Sequence, residues 1–170
     1  MTGNTVVRVL GLDPGSRVTG YGVIEGQGAT ARYVASGCIK LDEHAAFAQR
    51  LKVLYENVAE LISHHQPQVV AVEQVFVSKN ASSALKLGQA RGVLLCAGAL
   101  AGLQVTEYTP ADIKRTIVGG GRAEKTQIQH MVKLLLKLNG ALAADAADAL
   151  AVALCHLRYA QAPLLRRARR

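Results

Sequence analysis

The first 40 residues contain three apolar stretches rich in β-branched side chains, at 6–13, 18–25 and 31–40. Such stretches, bounded by glycine and proline, are typical of β-strands. A Pro14-Gly15 turn separates the first two, and Gly26-Gln27-Gly28 separates the second from the third. Because connections this short join antiparallel strands, we expect the chain to open with a three-stranded meander.

The pattern then changes to the period of an α-helix. Apolar residues recur at steps of three and four between 44 and 65, and Pro67 ends this segment. The sequence VVAVE, 69–73, is a short apolar run closed by a carboxylate, typical of a strand buried on both faces. A helix at 80–101 is rich in alanine and glycine, so another backbone could approach it closely. LQVTEYTP, 103–110, returns as a strand.

The last third of the chain is predicted to be mainly helical. A short helical turn follows Pro110, the loop GGGRAEK covers 119–125, one helix ends near Leu138, and another spans about 142–160. Three strands followed by alternating helices and strands indicate an α/β protein with a mixed five-stranded sheet flanked by helices.

Composition narrows the possible partners. The 170 residues fit one domain, which we place at 1–160, followed by a basic, flexible tail at 161–170. Twenty Lys and Arg against 12 Asp and Glu give a formal charge of +8, which favours a polyanion such as nucleic acid. Aromatic residues make up only 4% of the chain, so contacts to phosphates should dominate over base stacking.

Neither a membrane nor an oxidising compartment is expected. The longest apolar run, Val93 to Leu103, is shorter than the roughly 20 residues that a spanning helix needs. Cys38, Cys96 and Cys155 are odd in number and lie among apolar residues, which indicates buried free thiols. We therefore expect a cytoplasmic protein.

Four carboxylates occupy positions that suggest chemistry. Asp13 and Glu73 each end an apolar strand, whereas Asp145 and Asp148 lie three residues apart in LAADAADALAVAL and project from one face of an apolar helix. Singly, each has a structural alternative: Asp13 could cap a turn, Glu73 could pair with a lysine, and Asp145 could cap its helix. His156 lies roughly 80° around the helix from Asp148, so we expect a structural role for it.

Together the four acids point to a metal site. If the strands of Asp13 and Glu73 are neighbours, all four carboxylates meet at one edge of the sheet, where divalent cations would relieve their mutual repulsion. Oxygen ligands suit Mg²⁺ or Mn²⁺. A pair of such ions about 4 Å apart can activate a water and stabilise the leaving oxygen in phosphodiester cleavage.

Four motifs resemble those of the RuvC family of Holliday-junction resolvases, which are endonucleases of the ribonuclease H-like fold. They are GLDPGSRVTGYGVI, VEQVFVSKNASSALKLGQARG, GGGRAEKTQIQHMV and DAADALAVALCH, and they run in order from about residue 7 to 158. The central motif is the most specific. The family's four acids fall on Asp13, Glu73, Asp145 and Asp148.

The resemblance implies a homodimer that binds four-way DNA junctions and nicks two opposed strands symmetrically. It also implies Mg²⁺-dependent hydrolysis that leaves 5′-phosphate and 3′-hydroxyl ends in recombination and repair, and work alongside the RuvA and RuvB branch-migration proteins. Lys114 and Lys125 match basic positions that the family uses for phosphate contact, and Arg122 stands in the same loop as Lys125. Phe76 and Asn80 lie in a polar loop, where Phe76 could wedge against a base near the crossover.

Three other readings remain open. A strand-acid-glycine hairpin also begins the actin-like ATPases, although these need a second domain for which the chain is too short. Another ribonuclease H-like nuclease, acting on RNA, would share the first and last motifs. A non-enzymatic junction-binding module would keep the basic surface without needing four converging acids.

Overall fold

A computed structural model describes residues 6–75, 80–120 and 124–159. Within this part of the chain the elements are, in order, β1 Val7–Asp13, β2 Val18–Gln27, β3 Thr30–Lys40, α1 Phe47–His65, β4 Val69–Glu73, α2 Ala81–Leu100, β5 Gln104–Tyr108, α3 Pro110–Val118, α4 Lys125–Leu136 and α5 Ala144–Tyr159. The strands form one mixed sheet in the order β3-β2-β1-β4-β5.

The predicted sheet is confirmed. β1, β2 and β3 pair antiparallel, as the short connections indicated, while β4 and β5 join parallel to β1 and to each other. Every residue of VVAVE except Glu73 is buried, as expected for a strand covered on both faces. The predicted basic tail, 161–170, lies outside the described residues.

Successive side chains of β1 point to opposite faces of the sheet, so the core has two layers, one on each face. Leu10 and Leu12 pack with α1 and α2 on one face of the sheet. Val9 packs with α3, α4 and α5 on the other face. Since Asp13 shares the parity of Val9, its side chain belongs to the α5 face.

Glycines let α5 lie directly on the sheet. Gly11 pairs with Gly22 across β1 and β2, and Asp13 pairs with Gly20. A methyl group added at Gly11 would overlap the carbonyl oxygen of Ala149, and one at Gly20 would overlap that of Asp145. We call Gly11, Gly20 and Gly22 the glycine floor. Without side chains in this floor, the backbone of α5 comes within contact distance of the strands.

Several element boundaries differ from the sequence prediction for local reasons. α1 begins at Phe47, three residues later than expected, because the Asp42 side chain accepts a hydrogen bond from the amide of His44 and forms a separate turn. The segment after Pro110 is a nine-residue helix rather than a single turn. Thr109 caps it by accepting a hydrogen bond from the amide of Asp112 at 3.0 Å.

The cysteine prediction holds in part. Cys155 is buried and Cys38 is half-buried, but Cys96 is exposed on the outward face of α2. All three thiols are free. In the described segments, none of the helices combines the length and hydrophobicity needed to cross a membrane.

The close approach of α5 can be tested by filling the glycine floor. Gly20→Ala should lower the free energy of unfolding by about 1–3 kcal/mol, because the added methyl overlaps backbone that cannot move alone. Chemical denaturation would measure the loss. The control is Gly120→Ala, where an added methyl meets nothing within 4 Å; equal stability of the two variants would contradict the tight contact.

Candidate metal-dependent active site

Two of the four acids meet at the carboxyl edge of the sheet. Asp13 is the last residue of β1 and Glu73 the last of β4. These strands are parallel neighbours, and their register pairs Leu12 with Val72, so Asp13 and Glu73 are the next residues along each strand. The neighbouring strands that the sequence analysis required are therefore present.

The helix α5 brings the other two acids to the same edge. Asp145 lies in its first turn and Asp148 one turn later. Single carboxylate oxygens of Asp13, Asp145 and Asp148 all lie within 4.8 Å of one another. Glu73 is not part of this mutually close group, but its carboxyl group lies near enough to that of Asp13 to raise the pKa of Asp13. The structure thus brings three predicted acids together and places the fourth beside them.

Burial and crowding make this cluster electrostatically unfavourable without a cation. Burial, followed by the charges of Glu73 and Asp148, raises the pKa of Asp13 from 3.8 to about 8. Burial also raises the pKa of Glu73. A carboxyl group that keeps its proton near neutral pH indicates more negative charge than the site can hold alone. The cluster therefore fits a hard divalent cation, whose charge would let these groups ionise together.

Lys125 supplies part of the missing positive charge. Its ammonium group lies 2.6 Å from Oδ2 of Asp148, and this hydrogen bond raises the pKa of the lysine. Lys125 was predicted as the last residue of the loop GGGRAEK, and in the structure it is the first residue of α4. The side chain is more than half exposed, so it can exchange one anionic partner for another.

A cavity of about 260 Å³ opens beside the acids. Glu73, Asp148, Lys114 and Lys125 give it carboxylates and lysines together, and Pro110, Ile113, Ile128 and Ala151 form its apolar lining. This combination suits a phosphate group held by ammonium groups next to a metal. Among the described residues that line a larger cavity, about 690 Å³ between α3 and α4, there is no carboxylate, so we take the smaller cavity as the candidate site.

The predicted DNA-contact residues fall into three groups. Lys114 and Lys125 both line the acidic cavity. Asn80 caps α2, where its side chain accepts a hydrogen bond from the amide of Ser83 at 3.2 Å. Phe76 and Arg122 lie outside the described residues.

His156 has the structural role that was expected. It is buried, its Nδ1 lies 2.9 Å from the hydroxyl of Tyr108, and burial lowers its pKa. The glycine floor, in contrast, was missed as a determinant of the site. In the sequence these residues appear only as glycines spaced before and after Asp13. The pairing of β1 with β2 shows that they lie side by side under α5.

Comparison with known proteins identifies the family to which the chain is similar. The family model for crossover junction endodeoxyribonuclease RuvC matches residues 9–156. The RuvC of Alkalilimnicola ehrlichii is 58% identical over 90% of this chain and 92% of its own length. The RuvC of Halorhodospira halophila is 54% identical over 94% and 95%. The structure of T. thermophilus RuvC in complex with Holliday junction substrate superposes with a TM-score of 0.86 at 33% identity, covering 91% of this chain and 95% of that one.

These matches, with the acidic cluster, define the class of protein as a nuclease of ribonuclease H-like fold. Within that class, the chain belongs to the RuvC family of crossover junction endodeoxyribonucleases.

The raised pKa of Asp13 predicts an unusual pH dependence of stability. In the folded, metal-free protein Asp13 holds its proton until about pH 8, whereas the unfolded chain releases it near 3.8. Its contribution to stability is complete below pH 3.8 and is lost as the pH rises through 8. The Tm of metal-free protein should fall between pH 5 and 8, by roughly 2–4 °C per kcal/mol lost.

Asp13→Asn should flatten this decrease, because the amide has no proton to lose; Glu73 leaves a residual slope. Mg²⁺ at pH 8 should raise the Tm of the unmodified protein more than that of the variant. The exposed Asp42→Asn serves as the control and should follow the unmodified protein. Parallel Tm curves for Asp13→Asn and the unmodified protein would show that Asp13 is not the titrating group.

Proposed function

We propose that this protein resolves four-way DNA junctions by nicking two opposed strands, leaving 5′-phosphate and 3′-hydroxyl ends, in homologous recombination and DNA repair. The observation that carries the proposal is the convergence of Asp13, Asp145 and Asp148, with Glu73 beside them, in a chain of the RuvC family. The complex of T. thermophilus RuvC with Holliday junction substrate supports a four-way junction as the ligand.

Mg²⁺ is the proposed cofactor, with Mn²⁺ as a substitute and two ions during catalysis. Asp13, Glu73, Asp145 and Asp148 would hold it. Bound there, the metal would supply an activated water and stabilise the leaving oxygen. The protein's own contribution is to fix these carboxylates on rigid strands and a buried helix, so that little reorganisation accompanies the reaction.

The lysines would hold the phosphate that is cut. Lys114 and Lys125 share a cavity with Glu73 and Asp148, so a phosphate bound by the two ammonium groups lies next to the carboxylates. Lys125 would exchange Asp148 for the phosphate once metal neutralises the acid. Arg122 and Asn80 would add contacts to the DNA backbone, and Phe76 would wedge against a base near the crossover.

A homodimer would give the symmetry that paired nicking requires. The outward face of α2 carries Leu85 and Leu100, which are 70% and 69% exposed. Between them Gly88 and Gly92 have open space above the backbone, and Cys96 is exposed. This face would let a second copy approach closely, and a two-fold dimer presents two acidic sites to a nearly two-fold junction. Cooperation with RuvA and RuvB, and a cytoplasmic location, remain predictions from the sequence.

The decisive experiment uses a labelled four-way junction with Mg²⁺. We expect paired symmetric nicks whose ends can be religated, no cleavage of linear duplex, and no cleavage in EDTA. Asp13→Asn, Glu73→Gln, Asp145→Asn and Asp148→Asn should each reduce nicking roughly 10³-fold, because each removes several kcal/mol of metal-dependent stabilisation. Gel-shift assays should show that junction binding persists.

Other results would point to other functions. Preferential cleavage of an RNA·DNA hybrid would indicate a ribonuclease, and junction binding without nicking would indicate a binding module. Nicking that survives EDTA would contradict the metal mechanism. Circular dichroism on each variant would separate a lost metal ligand from a lost fold.

The proposed dimer face can be tested with a charged substitution. Gly92→Arg should convert the protein to a monomer by filling the open space on α2, as measured by light scattering, and should abolish paired nicking. Leu134→Arg, at a 59% exposed leucine on α4, places the same charge on the opposite layer and should leave the dimer intact. If Gly92→Arg remained dimeric, the interface would lie elsewhere.

A further inference from the structure

Arg50 is buried without a carboxylate partner. It lies on α1 and is only 8% exposed. Within the described segments it forms no ion pair, and its Nε is buried with no hydrogen-bond partner. Its guanidinium lies over the ring of Phe47, 5.5 Å from the centroid, which offsets only part of the desolvation cost. Burying the Arg50 guanidinium therefore costs stability, which suggests that this side chain has a role beyond packing.

The contact that Arg50 makes leads to the active site. Its Nη2 donates a hydrogen bond to the carbonyl oxygen of Ser16. Ser16 lies in the turn that leaves β1, three residues after Asp13. Arg50 therefore reaches from the α1 layer to the segment that sets the position of an acid on the opposite face.

The same turn is held at its other residues. The hydroxyl of Thr19, which is fully buried, accepts a hydrogen bond from the amide of Gly15 at 3.2 Å and donates one to the carbonyl of Gly15 at 3.0 Å. The amide of Leu41 donates to the carbonyl of Arg17 at 2.9 Å. Arg50 holds Ser16 in the same way, through a hydrogen bond that comes from helix α1.

We propose that Arg50 is a positioning residue for metal binding: by anchoring Ser16 it fixes the turn after β1 and thereby the carboxylate of Asp13. Loss of contacts that orient metal ligands typically lowers metal affinity 10- to 100-fold. The inference rests on the proposed function for the identity of the metal. The anchoring itself can be measured without any cleavage.

Arg50→Met tests the proposal because it keeps the side chain's length and removes the donors. Mn²⁺ affinity measured by calorimetry should weaken at least tenfold, and the Mg²⁺ concentration that half-saturates nicking should rise by a similar factor. Hydrogen exchange of the 13–19 segment in metal-free protein should become faster. The Tm should not fall greatly, since an unpaired buried charge is replaced by an apolar group.

Lys52→Met is the matched control, since it removes an exposed cation from the same helix. It should leave Mn²⁺ affinity and exchange at 13–19 unchanged. If Arg50→Met does not fold, Arg50→Leu answers the same question, and failure of both to fold would overturn the proposal by making Arg50 a requirement of the core. Unchanged exchange and Mn²⁺ affinity in a folded variant would also overturn it. Suppose that substitution of Arg50 speeds exchange at 13–19 and weakens Mn²⁺ binding, but the unmodified protein never nicks junctions. The anchoring role of Arg50 would then stand, and only the proposed function would be refuted.

Discussion

The contact between α5 and the glycine floor determines the geometry of the candidate active site. An ordinary helix rests on a sheet through side chains on both surfaces, which keep the two backbones apart. Here Gly11, Gly20 and Gly22 remove the side chains on the strand side, and the alanines of α5 keep the helix side small. The short aspartate side chains of α5 can therefore reach Asp13. If α5 lay farther from the strands, the carboxylate oxygens of Asp145 and Asp148 would not lie within 4.8 Å of that of Asp13.

Close packing of α5 against the sheet also brings the carboxylates together, so that they repel one another. The carboxylates lie where an apolar helix covers the sheet, so they are shielded from water as well as crowded together. The raised pKa of Asp13 reflects both effects, with burial the larger. A site that is unfavourable when all its acids are charged is one that a divalent cation stabilises strongly. The nearby lysine relieves the repulsion only in part, because it pairs with one acid and remains largely exposed.

Much of the architecture could be predicted from local patterns, because strand alternation and helical period depend on neighbouring residues. The ends of VVAVE and the antiparallel meander are examples. The glycines of α2 were recognised from the sequence, and a methyl group added at one of them, Gly98, would overlap Val105 of the sheet, but the glycine floor under α5 was not predicted. Which glycines oppose a helix depends on strand pairing, and a single sequence does not reveal that. Arg50 was missed for the same reason, since its contact joins residues 34 positions apart.

The order of the elements along the chain has a consequence for when the protein can act. Asp13 lies in the first strand and Glu73 in the fourth, but Asp145 and Asp148 belong to the last helix described. During synthesis from the N-terminus, a chain whose α5 segment has not yet left the ribosome lacks two of the four carboxylates. It also lacks the helix that packs on the glycine floor. Completing the core and bringing the four acids together are therefore one event. Partly made chains have neither, so the capacity to cut DNA arises only in molecules that have finished folding.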